Sequence, residues 1–462
     1  MKIALTTILI LITWQVNAAK YYCDPSSASG TTNGGFATPW KTIAQVNAGT
    51  GTLNPGDTVF FKRGQTYSGS LTITRSGTVG NDIVYTNYGT GALPTFDNTI
   101  QYLITLSNRS YVTIDGIKFI DNTLSSSDPN HTADANTDIV IRLYTSTHIT
   151  ISNCDFSFVG IGVATYTGSD YTIITNNWMH ELRMVVNTPT VVNNNDDYGC
   201  NPLVLGSSNN TITNNLFETC WGDSYDYGFD GGAVELFGDN VSNNFIAYNT
   251  AIDCVGFTEI GSSGTGVAAN NIIAYNKIIN CSTIGVLQTS GAYTTAISNL
   301  QYYNNTIVET VTQFNGDNDF IWMSGAANTG MIIMKNNIFY SSTLNKIFAN
   351  NGTKYQTTIT HSNNIFRMTN GGSTFGITLN GTELFSTTAN LFTSVSGAAT
   401  TWNYALPLGS AAINFGTSVG YSSDIIGTAI VGNPDAGAYE YLTAVTPTVN
   451  PSFIKGKFKI KQ

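Results

Sequence analysis

Carboxylates are scarce in this chain, and they are unevenly placed. Only 10% of its 462 residues are charged, yet the stretch WGDSYDYGFDGGAVELFG, Trp221 to Gly238, holds Asp223, Asp226, Asp230 and Glu235. Trp221, Tyr225, Tyr227 and Phe229 lie among them, and a further carboxylate, Glu259, follows in FTEIG. AVELFG and FTEIG each precede a Gly-containing turn that leads to a similar strand, NNFIAYN and NNIIAYN. Two carboxylates held close together are the equipment of glycosidic-bond hydrolysis. One keeps its proton and acts as the acid, and the other is ionised and acts as nucleophile or base. Repulsion between them drives their two titrations apart. The same pair allows two other readings: hard oxygen ligands for Ca2+, or two solvated residues with no chemistry.

The neighbouring residues suit a sugar polymer. Tyr198, Trp221, Tyr225 and Tyr227 offer ring faces for sugars, and Asp230, with Asp196 and Asp197, offers acceptors for hydroxyls. Asp223 and Asp226 are candidate Ca2+ ligands. For any single Asp here the plain alternative is an exposed acidic, Gly-rich turn. Hydrolysis is not the only chemistry in view. β-Elimination needs a base and a cation facing the substrate carboxylate. His180 or a Tyr would serve as base, with Arg183 or Arg142 as the cation. Against that, His180 also reads as a loop-end residue and Arg183 as a surface cation. His131, His148 and His361 show no metal-ligand spacing, and there is neither a phosphate-binding Gly loop nor a nucleophile elbow.

A repeat must position these groups. TITNNLFETC, FIAYNTAIDC and IIAYNKIINC share one frame: a short alternating strand, an Asn, and an apolar residue two places later. The frame anchors on Asn177, Asn215, Asn249, Asn276, Asn305, Asn337 and Asn364, spaced 27 to 38 residues apart. Several short strands per repeat with a variable period describe a β-solenoid, in which extra residues become outward loops. An Asn at a sharp turn can hydrogen-bond to the Asn above and below it. Cys220, Cys254 and Cys281 each follow an anchor by five residues, so they should stack inward as buried thiols. If Glu235 and Glu259 occupy one strand position of consecutive coils, they lie about 4.8 Å apart along the stack. The longest repeats carry HELRMVVNTPTVVNNNDDYGCNP and the acidic segment, two adjacent loops suited to walling a cleft.

The net charge of −10 argues against a nucleic-acid partner, which requires a basic surface. MKIALTTILILITWQVNAAK reads as a secretory leader cut near Ala18 or Ala19. Its apolar run is too short to span a bilayer. We expect an exported, monomeric protein, extracellular, periplasmic or at the cell surface, with no certain cofactor and with Ca2+ in the acidic loops as an option.

Two end segments resemble a known group. NPGDTVFFKRGQTYSGSLTITRSGTVGNDIVYTNYGTGALPTF (54–96) and GNPDAGAYEY (432–441) resemble the opening and closing segments of secreted bacterial right-handed parallel β-helix proteins of the pectate-lyase-like superfamily. The resemblance implies an all-β right-handed parallel β-helix and a polysaccharide partner. It leaves open lyase, hydrolase and non-catalytic glycan-binding roles. Residues 233–264 are similar in layout to the active-site coils of alginate- and chondroitin-lyase-type β-helices, which carry Lys and Arg where this chain has Glu235 and Glu259. The expected organisation is a leader over 1–19, a cap with first coils over 20–105, and the β-helix over 106–370 with insertions near 178–201 and 221–232. Irregular last coils and a cap follow over 371–445, then a linker and basic tail over 446–462.

Overall fold

The computed structural model describes residues 18–97, 100–121, 123, 138–192, 195–312, 314, 319–325, 329–343, 346–348, 359–371 and 376–442. The expected leader up to residue 17 and the basic tail lie outside them. Short β-branched and aromatic stretches with alternating burial form strands, and each strand pairs in parallel with its equivalent one coil later. The result is three long parallel sheets of 12, 10 and 12 strands among the described residues. We call them sheet I, which includes Phe245–Ala247, sheet II, which includes Val234–Phe237, and sheet III, which includes Thr250–Ile252. Each coil visits II, I and III in that order.

The corner from sheet I to sheet III takes residues 63–65 and 89–94 in the first two coils and two residues in every later described one, as at Asn176–Asn177, Asn214–Asn215 and Tyr248–Asn249. The first of the two takes the left-handed conformation: φ is 57° at Asn176 and Asn214, 61° at Tyr248 and 52° at Tyr275. Asn tolerates this region through local hydrogen bonding, whereas Tyr occupies it only because the surrounding coils enforce it. From Asn177 onward the second residue is the anchor Asn, buried and facing inward. Its Nδ2 and the backbone N–H both donate to Oδ1 of the next anchor, at 2.9–3.1 Å for Asn249 on Asn276. The same bonds run from Asn177 to Asn364. Asn364 ends the ladder by donating to Glu383 Oε1 at 2.9 Å.

Between the sheets the interior is filled by stacked Ile, Val, Leu and Phe, including the neighbouring rings of Phe61, Phe96, Phe119 and Phe156. All six cysteines are buried and none is in a disulfide, Cys220, Cys254 and Cys281 among them. The short helix Ile43–Gly49 closes the N-terminal end, with Thr42 accepting from the N–H of Gln45 and with Ile43 and Val46 buried. After the last rung of sheet III, Leu384–Ser386, the chain folds back along the outside. Leu391, Phe392 and Tyr404 cover Val308, Ile338 and Ile365 on sheet III. Tyr421 and Ile430 cover Ala247 and Tyr275 beside sheet I. Among the described residues, neither of these layers covers the outer face of sheet II. No helix among the described residues is long and apolar enough to cross a membrane.

Candidate active site

Alternation in AVEL and FTEI sends Val234, Leu236, Thr258 and Ile260 inward and both Glu side chains outward. The two strands pair in register, Glu235 opposite Glu259. The pair therefore stands one rung apart on the open face of sheet II, in a cleft of about 780 Å³. Ala164 and Val204 continue the same outward column on one side of the pair and Val286 on the other.

The two insertions form the wall. Met184–Val186 pairs antiparallel with Tyr198–Gly199, and Trp221–Ser224 pairs with Gly228–Gly231. Carboxylates tie the two hairpins together. Asp197 accepts from the N–H of Thr188, the Ser224 hydroxyl and the N–H of Asp226. Asp226 accepts from the N–H of Asp196 and Asp197. Gly231 and Gly232, with φ of 121° and 143°, return the chain to the sheet through backbone closed to side chains. Asp230 is thereby held over the cleft, accepting from the N–H of Gly231 at 2.8 Å.

Three carboxyl groups thus share one half-buried site. Loss of water pushes Glu235 up to about 8, and the charges of Glu259 and Asp230 push the same way. Asp230 is raised to about 8 by burial, with Glu259 and Asp197 adding repulsion. Glu259 is also raised by burial, opposed by a hydrogen bond from Gln288. Asn201 Nδ2 donates to Glu235 Oε2 at 2.8 Å, and Gln288 Nε2 donates to Glu259 Oε1 at 3.1 Å. Both donors are neutral amides. Among the described residues lining the cleft there is no Lys, Arg or His.

The other sequence candidates divide. Tyr198 and Tyr227 line the cleft with Asp230. Trp221 does not: it packs edge-on against Phe229 and Phe314 in a small core beneath the hairpin. Tyr225 is exposed at the hairpin tip, away from the lining. His180 and Arg183 are corrected as catalytic candidates. His180 is the last residue of a sheet III strand, stacked on Trp178 with centroids 3.8 Å apart and 3.3 Å from Asp155. Arg183 is fully buried beside the Phe158 ring and donates to the carbonyls of Glu181 and Leu182. Neither is among the residues lining the cleft, because His180 is still on sheet III and Arg183 lies in the corner just after it. The metal candidates separate as well. Asp226 clusters with Asp196 and Asp197, their oxygens within 4.8 Å of one another, and Asp223 stands outside that group. Asn201 and Gln288 escaped sequence reasoning, since an isolated amide in a strand gives no signal until register is known.

The family model described as a right handed beta helix region matches residues 139–328. The solved structure of pectate lyase Pel9A aligns with a TM-score of 0.56 at 16% identity, covering 92% of this chain and 96% of that one. The structure of XylC with xylose aligns at 0.50 with 9% identity, covering 91% and 98%. No curated protein matches the sequence. Coil order, family model and full-length structural likeness agree, and the chain has the right-handed parallel β-helix fold of the pectate-lyase-like proteins.

Proposed function

We propose that this protein degrades a polysaccharide by hydrolysing glycosidic bonds in the sheet II cleft. The observation that supports this most directly is the in-register pairing of Glu235 and Glu259 on adjacent rungs. A separation near 5 Å belongs to retaining hydrolysis. Glu259 holds the charge, and that charge helps keep Glu235 and Asp230 protonated near neutrality. Glu235 then gives its proton to the leaving oxygen while Glu259 attacks the anomeric carbon. In the second step Glu235 takes a proton from water, which displaces Glu259 and restores both groups. Asn201 and Gln288 hold one oxygen of each carboxyl and orient the other. Tyr198 and Tyr227 supply ring faces for the bound sugars. The reading goes with export of the chain, in keeping with its leader-like first residues.

A panel of polysaccharides tests this. Hydrolysis gives new reducing ends without unsaturated-uronate absorbance, and proton NMR should show the anomer retained. Glu235→Gln and Glu259→Gln should each cut the rate by roughly a hundredfold or more. Full activity in both variants would remove the pair from the chemistry.

One observation favours a second reading, Ca2+-assisted β-elimination. In the Asp196–Asp197–Asp226 cluster, Asp196 and Asp226 each keep one buried oxygen without a hydrogen-bond partner. These hard oxygens fit Ca2+, which would supply the positive charge that the cleft lining lacks. Unsaturated products that vanish with chelator and return with Ca2+ would establish elimination and refute hydrolysis.

A further inference from the structure

Arg142 stands in the same outward column of sheet II as the Glu pair, reached through Val204 and Ala164. Three rungs separate it from Glu235, about 14 Å at the parallel-strand spacing. Its guanidinium carbon lies 3.3 Å from the centre of the Tyr102 ring and 5.4 Å from that of Tyr144. Its Nε donates to Thr105 Oγ1 at 3.0 Å. Tyr144 stacks in turn on Tyr166, with centroids 4.3 Å apart and planes 11° from parallel. Tyr102 and Tyr166 both line the cleft, so Arg142 stands beside its N-terminal end in a plane fixed by two rings and a hydrogen bond. Among the described residues no carboxylate lies within 4.0 Å of it.

Charge therefore changes sign along one straight column. It is positive at Arg142, absent at Ala164 and Val204, and acidic at Glu235 and Glu259. A uronate carboxylate over the acidic end would be repelled by Glu259 and left without a cation. The same carboxylate three rungs away would meet a preorganised fork of N–H donors. We propose that Arg142 is a specificity-determining subsite for a uronate carboxylate. The ligand is a heteroglycan whose acid-bearing residue lies several rungs from a neutral residue at the Glu pair. A homopolyuronate fits poorly, because it puts a carboxylate at both ends. What happens at the Glu pair rests on the hydrolytic reading; binding at Arg142 does not.

Affinity electrophoresis of the Glu235→Gln variant separates the two. The probes are glucuronoxylan, gum arabic and xanthan, each native and after chemical reduction of its carboxyl groups, with polygalacturonate for comparison. At least one native heteroglycan should retard the protein. Adding Arg142→Gln should weaken that binding roughly tenfold or more. Carboxyl reduction should weaken it equally in the Arg142 protein and change nothing further in Arg142→Gln. The reduction arm needs no new variant, so it stands even if Arg142→Gln folds poorly. The proposal is overturned if none of the three heteroglycans retards the protein, or if reduction leaves binding intact. Equal or stronger retardation by polygalacturonate would overturn it too. Arg142-dependent binding without cleavage by the unmodified enzyme would sink the hydrolytic reading and leave this one standing.

Discussion

Glu259→Gln removes one charge from the carboxyl pair and keeps its shape, so it isolates the electrostatic part of the proposed mechanism. The two residues are direct register partners, which sets their backbones about 4.8 Å apart, and carboxyl groups at a similar spacing, about 5 Å, are taken for the magnitude. At an effective dielectric of about 20, two unit charges at that distance repel by roughly 3 kcal/mol, or about two pH units of titration. Burial, the larger cause of the raised Glu235, is untouched by the substitution. Glu235 titrates at about 8 in the unmodified protein, and in the variant it should titrate at roughly 6. Carboxyl-carbon NMR on protein labelled at glutamate measures this directly, with Glu235→Gln identifying the resonance, and needs no substrate. If Glu235 titrates at the same pH in Glu259→Gln, the two groups do not sense each other and the assignment of acid and nucleophile fails. If it titrates in the ordinary carboxylate range in the unmodified protein, the burial argument fails as well.

Three further expectations concern the frame that holds the pair. Asn276 donates from Nδ2 to the Ile246 carbonyl and to Asn305 Oδ1, and accepts from both Asn249 nitrogens. Asn276→Ala should therefore lower stability by roughly 3–6 kcal/mol in urea unfolding, and a loss under about 1 kcal/mol would contradict the ladder's role. Glu235, Asp230 and Glu309 all bind their protons more tightly when folded, each titrating at about 8. Between the ordinary carboxylate range and pH 8 the folded state holds protons that the unfolded chain has released, so stability falls as pH rises through that window. Thermal melting should show that decline and Glu309→Gln should flatten it; a melting temperature that climbs from pH 5 to pH 8 would reverse the sign argued here. Asp197→Ala removes two bonds between the insertions and one within the first and should speed limited proteolysis of residues 184–199 several-fold, and unchanged cleavage would show that the hairpins hold without it.

The repeat was legible because one chemical requirement recurs at one corner. An αL residue followed by an inward Asn leaves a visible NN or YN pair in every coil, from Asn176–Asn177 to Asn363–Asn364. The stacked thiols followed from the same frame. The facing of Glu235 and Glu259 was readable from alternation, but their register was not, because the loops that follow the two strands differ in length. Pairing of Val234 with Thr258 and Leu236 with Ile260 settles it in space. Long-range packing hid the rest. Trp221 looks like a sugar platform until Phe314, from a later coil, is found against it. Arg183 looks like a surface cation until it is found buried against the Phe158 ring, just after the strand that ends at His180. That Asp197 and Asp226 also accept from backbone N–H groups and so tie the two hairpins together was not visible in the sequence.

The two-residue corner between sheets I and III has a consequence for how such a molecule can change. Insertions are absent there throughout the described coils, from Gly116–Ile117 to Asn363–Asn364, and they gather at the two corners that border sheet II. An added or lost residue at the Asn corner would break a hydrogen-bonded column that runs from Asn177 to Asn364. The same change in 185–199 or 224–228 alters only what overhangs the carboxyl pair. Length variation confined to those two hairpins would therefore reshape substrate choice while the frame and the spacing of Glu235 and Glu259 stay fixed. Specificity and scaffold are thereby separable along the chain, open to independent revision by mutation or by design.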